Sequence, residues 1–337
     1  MSEDEEAGTH MRRLTVIQGN GAPSDTEGAI GLVERWPERK PRWLKVRAPG
    51  GENYRALKAR MRHLGLNSVC EEARCPNIGE CWESGTATFL ILGDTCTRNC
   101  PYCAIAHGRP EELDEDEPSR VAEMIEHLRL RHVVITSVDR DDLPDGGARI
   151  FASLIREIRH RLPACSIEVL TPDFRGEPSS IATVVDAGPD IFNHNMETVR
   201  RLHPTARPGG RYERSLDVLR FGRERDPDLL IKTGIMLGLG ERSDDVRAFM
   251  DDALAAGVQI LTVGQYLRPS PDHLPIDRYV PPDEFAAWKT LGEQLGFLHV
   301  ESGPLVRSSY HAREQVEELR VRAGPAPRQD RAPEAGV

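Results

Sequence analysis

The chain has 337 residues, enough for one large domain or two smaller ones. Lys and Arg total 44 against 54 Asp and Glu, a net charge of -10, so the chain lacks the positive field with which nucleic-acid-binding proteins gather phosphates. No run approaches the roughly 20 apolar residues that cross a bilayer, and the acidic N-terminus is unlike a secretory signal. We therefore expect a cytoplasmic protein that binds neither nucleic acid nor membrane.

The N-terminal region shows little apolar periodicity. Residues 1–52 mix charge, Gly and Pro, which predicts a partly flexible N-terminal arm. A short basic helix is predicted from Asn53 to His63. At the other end, the sequence from about Ala323 is rich in Pro, Ala and charge, which predicts a disordered tail.

Between residues 87 and 306, short β-branched runs alternate with longer amphipathic ones. Six runs predict strands, at 87–94, 132–138, 166–172, 190–196, 229–239 and 259–267. Helical patterns occur at 119–130, 148–162, 214–225, 244–257 and 282–296. Apolar strands buried on both faces indicate a parallel sheet, and repeated right-handed crossovers curl such a sheet. We predict an α/β fold: a partial TIM-type barrel of six βα units with N-terminal and C-terminal extensions.

In such barrels the C-terminal ends of the strands form the functional face, here called the mouth. Polar and Gly residues follow several predicted strands, so we expect the active site there. Asn193, Asn195 and Lys232 are expected to face the barrel interior, although a one-residue change of register would reverse this. The run Gly238–Glu241 (GLGE) resembles a phosphate loop superficially, but its position favours a strand-to-helix turn.

Six of the seven cysteines lie between Cys70 and Cys103. In a reducing cytosol such a cluster more often binds metal than forms disulfides. The first triad has the spacing C-x3-C-x2-C, follows the first predicted strand and comprises Cys96, Cys100 and Cys103. Three thiolates on a four-iron cluster leave one iron open, whereas structural zinc takes four protein ligands. Zinc with His107 as fourth ligand is the alternative.

This spacing after the first strand of a six-unit barrel resembles the radical S-adenosylmethionine superfamily. The resemblance implies a 4Fe–4S cluster on the first triad, with its open iron chelated by the amino and carboxylate groups of S-adenosylmethionine. One electron then cleaves the sulfonium and gives a 5′-deoxyadenosyl radical that abstracts hydrogen from unactivated carbon. The barrel orients the radical and keeps water away.

Further contacts with S-adenosylmethionine are expected after the second predicted strand, from Asp145, Gly146 and Gly147. Glycine there would allow close approach of the backbone to a ligand. A turn before a helix at Ala148 explains the same residues equally well.

A second triad has the spacing C-x4-C-x5-C and comprises Cys70, Cys75 and Cys81. Together with the first triad and the later motif RSSY (307–310), it resembles the lipoyl synthase family. The likeness runs from about Asn67 to His311 and includes DDLPDGGA, EVLTPDF, FNHNMETV and KTGIMLGLGE. It implies an auxiliary 4Fe–4S cluster on the second triad, with Ser309 as its oxygen ligand. From the residues alone, these serines fit the cap of a helix starting near His311.

The resemblance divides the chain into an arm (1–52), an auxiliary-cluster-binding segment (53–86), the barrel (87–306) and the RSSY segment with the tail (307–337). It implies sulfur insertion at C6 and C8 of a protein-bound octanoyl-lysine, with the auxiliary cluster as sulfur source. Implied partners are octanoylated lipoyl-carrier domains of 2-oxoacid dehydrogenase E2 subunits and glycine cleavage H protein, an electron donor such as ferredoxin or flavodoxin, and an iron–sulfur carrier. The alternatives are another sulfur-inserting radical enzyme and a non-catalytic iron–sulfur scaffold.

Overall fold

The structure is a computed structural model that describes residues 39–46, 48–83 and 88–310, together with 312 and 315. The predictions of flexibility for the first 38 residues and of disorder from Ala323 lie outside the described residues. Within the described ranges, no helix is long and apolar enough to cross a membrane.

Seven parallel strands lie side by side in the order in which they occur in the chain. They are β1 (Thr88–Ile91), β2 (His132–Ser137), β3 (Ser166–Leu170), β4 (Ile191–Asn193), β5 (Leu230–Leu237), β6 (Ile260–Gln265) and β7 (His299–Gly303). All six predicted strands are confirmed. The sequence analysis missed β7 because only its first two residues are buried, which leaves too short an apolar run to be recognised.

The helices are α1 (Glu52–His63), α2 (Val69–Glu72), α3 (Ile78–Glu83), α4 (Glu117–His127), α5 (Ala148–Arg161), α6 (Pro178–Asp186), α7 (His203–Ala206), α8 (Tyr212–Arg225), α9 (Ser243–Ala255) and α10 (Pro282–Leu295). Six of them, α4, α5, α6, α8, α9 and α10, each follow one of the strands β1 to β6. The six βα units are therefore confirmed, and so is the short basic helix α1. The sequence analysis named no helix at α6.

The sheet has two open edges in the described part of the chain. One edge is β7, and the other is a short strand, Asn67–Ser68, that pairs antiparallel with β1. The barrel is therefore partial, as predicted. The antiparallel strand leads directly into α2, which places the second triad beside the start of β1.

Alternation of side chains along the strands decides which residues face the barrel interior. Phe192 of β4 and Ile231 of β5 lie against Gly222 of α8. A Cβ added to Gly222 would lie 3.1 Å from Phe192 Cδ1 and 3.3 Å from Ile231 Cδ1. These two side chains therefore face the helical layer. Their neighbours Asn193 and Lys232 face inward, and both are fully buried. The prediction for these two residues is confirmed.

Candidate active site

The first triad lies in the loop that follows β1. Two short parallel strands, Thr95–Cys96 and Ala106–His107, close this loop at its base. The Cys96 sulfur accepts the backbone N–H of Arg98 at 3.4 Å and that of Asp139, just beyond β2, at 3.3 Å. The triad therefore lies at the C-terminal ends of β1 and β2, where the sequence placed it.

The three cysteines of this loop are half-buried free thiols. Burial raises the pKa of Cys100 to about 12, although the Arg207 guanidinium acts in the opposite direction. Burial likewise raises the pKa of Cys103 to about 12. The metal-free thiols are therefore neutral, and iron binding must displace their protons. Backbone N–H groups aimed at sulfur stabilise the resulting thiolates, so the loop fits a thiolate-bound cluster.

The alternative of zinc with His107 finds no support in the geometry. Over the described ranges, no three His, Cys, Asp or Glu side chains come close enough to hold a single metal ion. His107 itself is exposed.

A buried arginine between two of these cysteines ties the loop to the barrel. Arg98 donates to both carboxylate oxygens of Asp141 at 2.7 Å, and its Nη2 donates to Asp173 at 2.7 Å. Its Nη1 lies 3.2 Å from Asp139 Oδ1. These carboxylates follow β2 and β3, so Arg98 links the loop to the ends of both strands. Sequence reasoning missed Arg98, although a cation inside the cysteine motif and carboxylates after two strands were visible signals.

Asp145, Gly146 and Gly147 form the turn that begins α5. The Asp145 carboxylate accepts the backbone N–H of Gly147 at 3.0 Å and that of Arg149 at 2.9 Å. Gly147 has φ +87°, and an added Cβ would lie 2.3 Å from Leu92 Cδ1. These contacts account for all three residues as a helix-starting turn. Their contact with S-adenosylmethionine stays a prediction.

In the turn after β5, a side chain of the same turn binds the backbone N–H groups. The Glu241 carboxylate accepts the backbone N–H of Gly238 at 2.7 Å and that of Leu239 at 2.9 Å. The amides that would cradle a phosphate are therefore already bonded, and the prediction of a strand-to-helix turn is confirmed.

The second triad and Ser309 line one small pocket, here called the second-triad pocket. Its lining residues come from α2, α3, the loop between these helices, the start of β1 and the C-terminal segment: Cys70, Cys75, Asn77, Cys81, Thr88, Arg307, Ser309 and Tyr310. Thr88 Oγ1 donates to Ser309 Oγ at 2.8 Å. Asn77 Nδ2 donates to the Leu305 carbonyl at 2.7 Å, which holds the C-terminal segment against the cysteine-bearing segment. The three thiols of the second triad and the Ser309 hydroxyl therefore share a single pocket.

Burial favours neutral thiols in the second-triad pocket, and nearby donors act in the opposite direction. Burial raises the pKa of Cys70, whereas hydrogen bonds from Thr88 and from the Trp82 side chain lower it. Burial also raises the pKa of Cys75, and backbone N–H groups and the Arg307 guanidinium lower it. The three thiols, the Ser309 hydroxyl and the neighbouring Arg307 cation fit an anionic iron–sulfur cluster.

Glu197 and Arg307 connect the two triads electrostatically. Glu197 follows β4, has φ +66°, and is fixed by backbone hydrogen bonds to Gly234 and Met236 of β5. Burial raises its pKa, and both Arg207 and Arg307 lower it. The Glu197 charge also raises the pKa of Cys103, while Arg307 acts on Cys75 in the second-triad pocket. Glu197 and Arg307 are therefore charged groups that lie between Cys103 of the first triad and Cys75 of the second.

The RSSY segment also reaches β4. Asn195 Nδ2 donates to Ser308 Oγ at 2.6 Å, and the neighbouring Arg207 donates to the Asn195 carbonyl at 2.8 Å. Sequence reasoning did not single out Glu197 or Arg207, although Glu197 stands where a strand meets the mouth. Arg207 carried no signal of its own.

Comparison with known proteins identifies the family. The model of the radical SAM superfamily matches residues 90–253, and that of the N-terminal domain of lipoyl synthase matches residues 17–75. The lipoyl synthase of Rubrobacter xylanophilus is 58% identical over 287 residues, which cover 85% of this chain and 89% of the relative. That of Methylococcus capsulatus is 56% identical over 281 residues, 83% of this chain and 87% of the relative.

Among solved structures, the crystal structure of HydG, a maturase of the FeFe-hydrogenase, has a TM-score of 0.50 at 16% identity. The match covers 63% of this chain and 50% of that chain, and it supports the barrel fold alone. The cysteine loop at the mouth and the high identity to curated relatives over most of the chain agree: this chain belongs to the lipoyl synthase family of radical S-adenosylmethionine enzymes.

Proposed function

We propose that the protein inserts sulfur at C6 and C8 of an octanoyl group held in amide linkage to a lysine of a carrier domain. In this proposal the first triad holds the 4Fe–4S cluster that binds S-adenosylmethionine. The second triad and Ser309 hold an auxiliary 4Fe–4S cluster, which is consumed as the sulfur substrate.

The observation that carries this proposal is that the RSSY segment joins the second-triad pocket to the mouth: Ser309 accepts a hydrogen bond from Thr88 in the pocket, and Ser308 accepts one from Asn195 beyond β4. Sulfur insertion requires a carbon radical to meet sulfide before it meets water or a stray hydrogen donor. The Glu197 charge raises the pKa of Cys103 in the first triad. The Arg307 charge lowers the pKa of Glu197 and that of Cys75 in the second triad. An electron carrier or scaffold has no need for a link between the second-triad pocket and the mouth.

The residues of this chain bind, orient and shield. When bound, S-adenosylmethionine on the first cluster supplies the radical that removes hydrogen from carbon. Arg98 fixes the loop of the first triad through Asp141 and Asp173. Arg307 balances the negative charge of the second-triad pocket. Ser309 offers that pocket a hard oxygen beside three soft thiols, and this mismatch favours early release of the iron it binds.

The partners in this proposal are octanoylated lipoyl-carrier domains, among them 2-oxoacid dehydrogenase E2 subunits and glycine cleavage H protein. An electron donor such as ferredoxin or flavodoxin reduces the first cluster. An iron–sulfur carrier rebuilds the consumed cluster after turnover.

The test uses the full chain reconstituted anaerobically with iron and sulfide. S-adenosylmethionine, a low-potential reductant and an octanoyl-lysine peptide are added, and the peptide is read by mass spectrometry. Gain of two sulfurs supports the proposal: the dithiol product has lost no hydrogen, and its oxidation to the disulfide removes two hydrogens. Formation of 5′-deoxyadenosine without sulfur on the peptide would contradict it and indicate a different radical substrate.

Paired variants separate the two triads. We expect Cys103→Ala to abolish 5′-deoxyadenosine, because the first cluster is lost. We expect Cys75→Ala to keep cofactor cleavage measurable while product disappears. Ser309→Ala should lower product more than its neighbour Ser308→Ala. Equal loss of both activities in Cys75→Ala would contradict two independent clusters, and the reverse order of the serines would move the oxygen ligand.

A further inference from the structure

A buried polar cluster inside the barrel holds the C-terminal segment. Lys232 of β5 lies with its Nζ 3.0 Å from Glu168 Oε1 and 3.1 Å from Glu168 Oε2, and both side chains are fully buried. Asn193 of β4 donates to the same carboxylate at 2.9 Å. Lys232 Nζ also donates to Gln315 Oε1 at 3.0 Å, and Gln315 is 1% exposed. Gln315 is the member of this cluster that lies outside the strands.

Gln315 uses the other end of its amide on the RSSY segment. Its Nε2 donates to the Tyr310 carbonyl at 3.0 Å. Tyr310 follows Ser309, whose hydroxyl receives the Thr88 hydrogen bond in the second-triad pocket. One amide group therefore joins Lys232, inside the barrel, to the residue next to the pocket's oxygen donor.

Loss of this link would leave buried groups of the cluster without hydrogen-bond partners. An ammonium has three protons to donate, and here the two Glu168 oxygens and Gln315 Oε1 are the acceptors. A buried ion pair is costly unless all of its groups are satisfied. Replacing Gln315 with an apolar side chain would leave Lys232 without one acceptor and the Tyr310 carbonyl without this donor.

We propose that Gln315 is a positioning residue for Ser309: it couples the buried Lys232–Glu168 pair to the RSSY segment and so fixes the hydroxyl in the second-triad pocket. The inference rests on the proposed function, in which Ser309 ligates the auxiliary cluster. Gln315 itself touches neither triad in the interactions described above.

The test compares Gln315→Met, which keeps side-chain length but forms neither hydrogen bond, with Gln294→Met on the exposed face of α10 as matched control. In the metal-free full chain, hydrogen–deuterium exchange is followed in the peptide that spans residues 304–312. We expect about tenfold faster exchange there in Gln315→Met, since one lost hydrogen bond is enough for such a change, and no change in Gln294→Met.

The reconstituted full chain provides the second readout. Wild type should hold about eight iron atoms, four for each cluster. We expect both Gln315→Met and Ser309→Ala to lose about one of them and to show the electron paramagnetic resonance signal of a three-iron cluster. The positioning role alone would be overturned if Gln315→Met kept the exchange rate and the iron content of wild type while Ser309→Ala lost iron. About four iron atoms in wild type would overturn the auxiliary cluster instead, which separates the two failures.

Discussion

Arg98 offers the sharpest test of how the first triad is held. The side chain is 7% exposed and binds carboxylates that follow two different strands. Arg98→Met keeps an unbranched chain of similar reach but removes the positive charge and every donor. Asp173, which is fully buried, then keeps its pairing with Arg214, whose Nε donates to Oδ2 at 2.8 Å and whose Nη2 lies 2.7 Å from the same oxygen.

The expected cost follows from the burial of each partner. Removing one member of a buried ion pair costs about 3–5 kcal/mol, because the other charge stays buried without compensation. The Asp141 side chain is 33% exposed, so its share is weakened by solvent. Arg214 still balances Asp173, and we therefore expect the lower limit, a loss of about 3 kcal/mol in the free energy of unfolding.

Urea unfolding of the metal-free protein measures this loss, and Arg225→Met is the matched control. Arg225 also binds both oxygens of an aspartate, Asp186, at 2.8 Å and 2.7 Å, but both side chains are 48% exposed. We expect no measurable change there, because solvent screens the pair. Equal behaviour of the two variants would refute the assignment of Arg98 as a buried anchor. In the reconstituted enzyme, Arg98→Met should also lower 5′-deoxyadenosine formation at least about tenfold, the effect of a misplaced reacting group.

Three further predictions test the fold around the site. Burial lowers the pKa of His194 from 6.5 to about 3, because the folded protein favours the neutral ring. The stability that this preference provides is complete above pH 6.5 and is lost as the pH falls toward 3. At about pH 5 the loss is about 2 kcal/mol in urea unfolding, and a similar loss in His194→Gln would contradict this origin. Gly147→Ala should cost about 2–4 kcal/mol, because its Cβ meets Leu92 in a left-handed backbone; an unchanged melting temperature would refute the contact. Thr88→Val removes the hydrogen bond to Ser309 and should lower the iron content of the second-triad pocket at a cost of only about 1 kcal/mol in unfolding; full iron occupancy would show that this hydrogen bond is dispensable.

The barrel was predictable because its signals are local. Each of the six predicted strands is a short apolar run followed by turn residues, and each matches a strand of the structure. The seventh strand escaped because burial stops after Val300. The open edge beside Asn67–Ser68 gave no signal either, since a two-residue strand is defined by its partner and not by its own composition.

The first triad was equally accessible, because Cys96, Cys100 and Cys103 are close in sequence and follow a recognisable strand. The second site was less accessible from the sequence. Ser309 lies 221 positions from Thr88, to which it is hydrogen-bonded. Without a resemblance to a known family, Ser309 reads as a helix cap.

The structure shows which contacts hold Ser309 in its position. In the proposed function, the Ser309 hydroxyl would bind iron among three thiols and contribute little affinity of its own, because oxygen is a poor match for a sulfur-rich site. The protein must therefore hold the hydroxyl in place by other contacts. Thr88 supplies one, and the Gln315 link to Lys232 and Glu168 supplies another from inside the barrel. Under the proposed function, a weak ligand held by a rigid support can be released during turnover and recovered afterwards, as a cluster consumed in each reaction cycle would require.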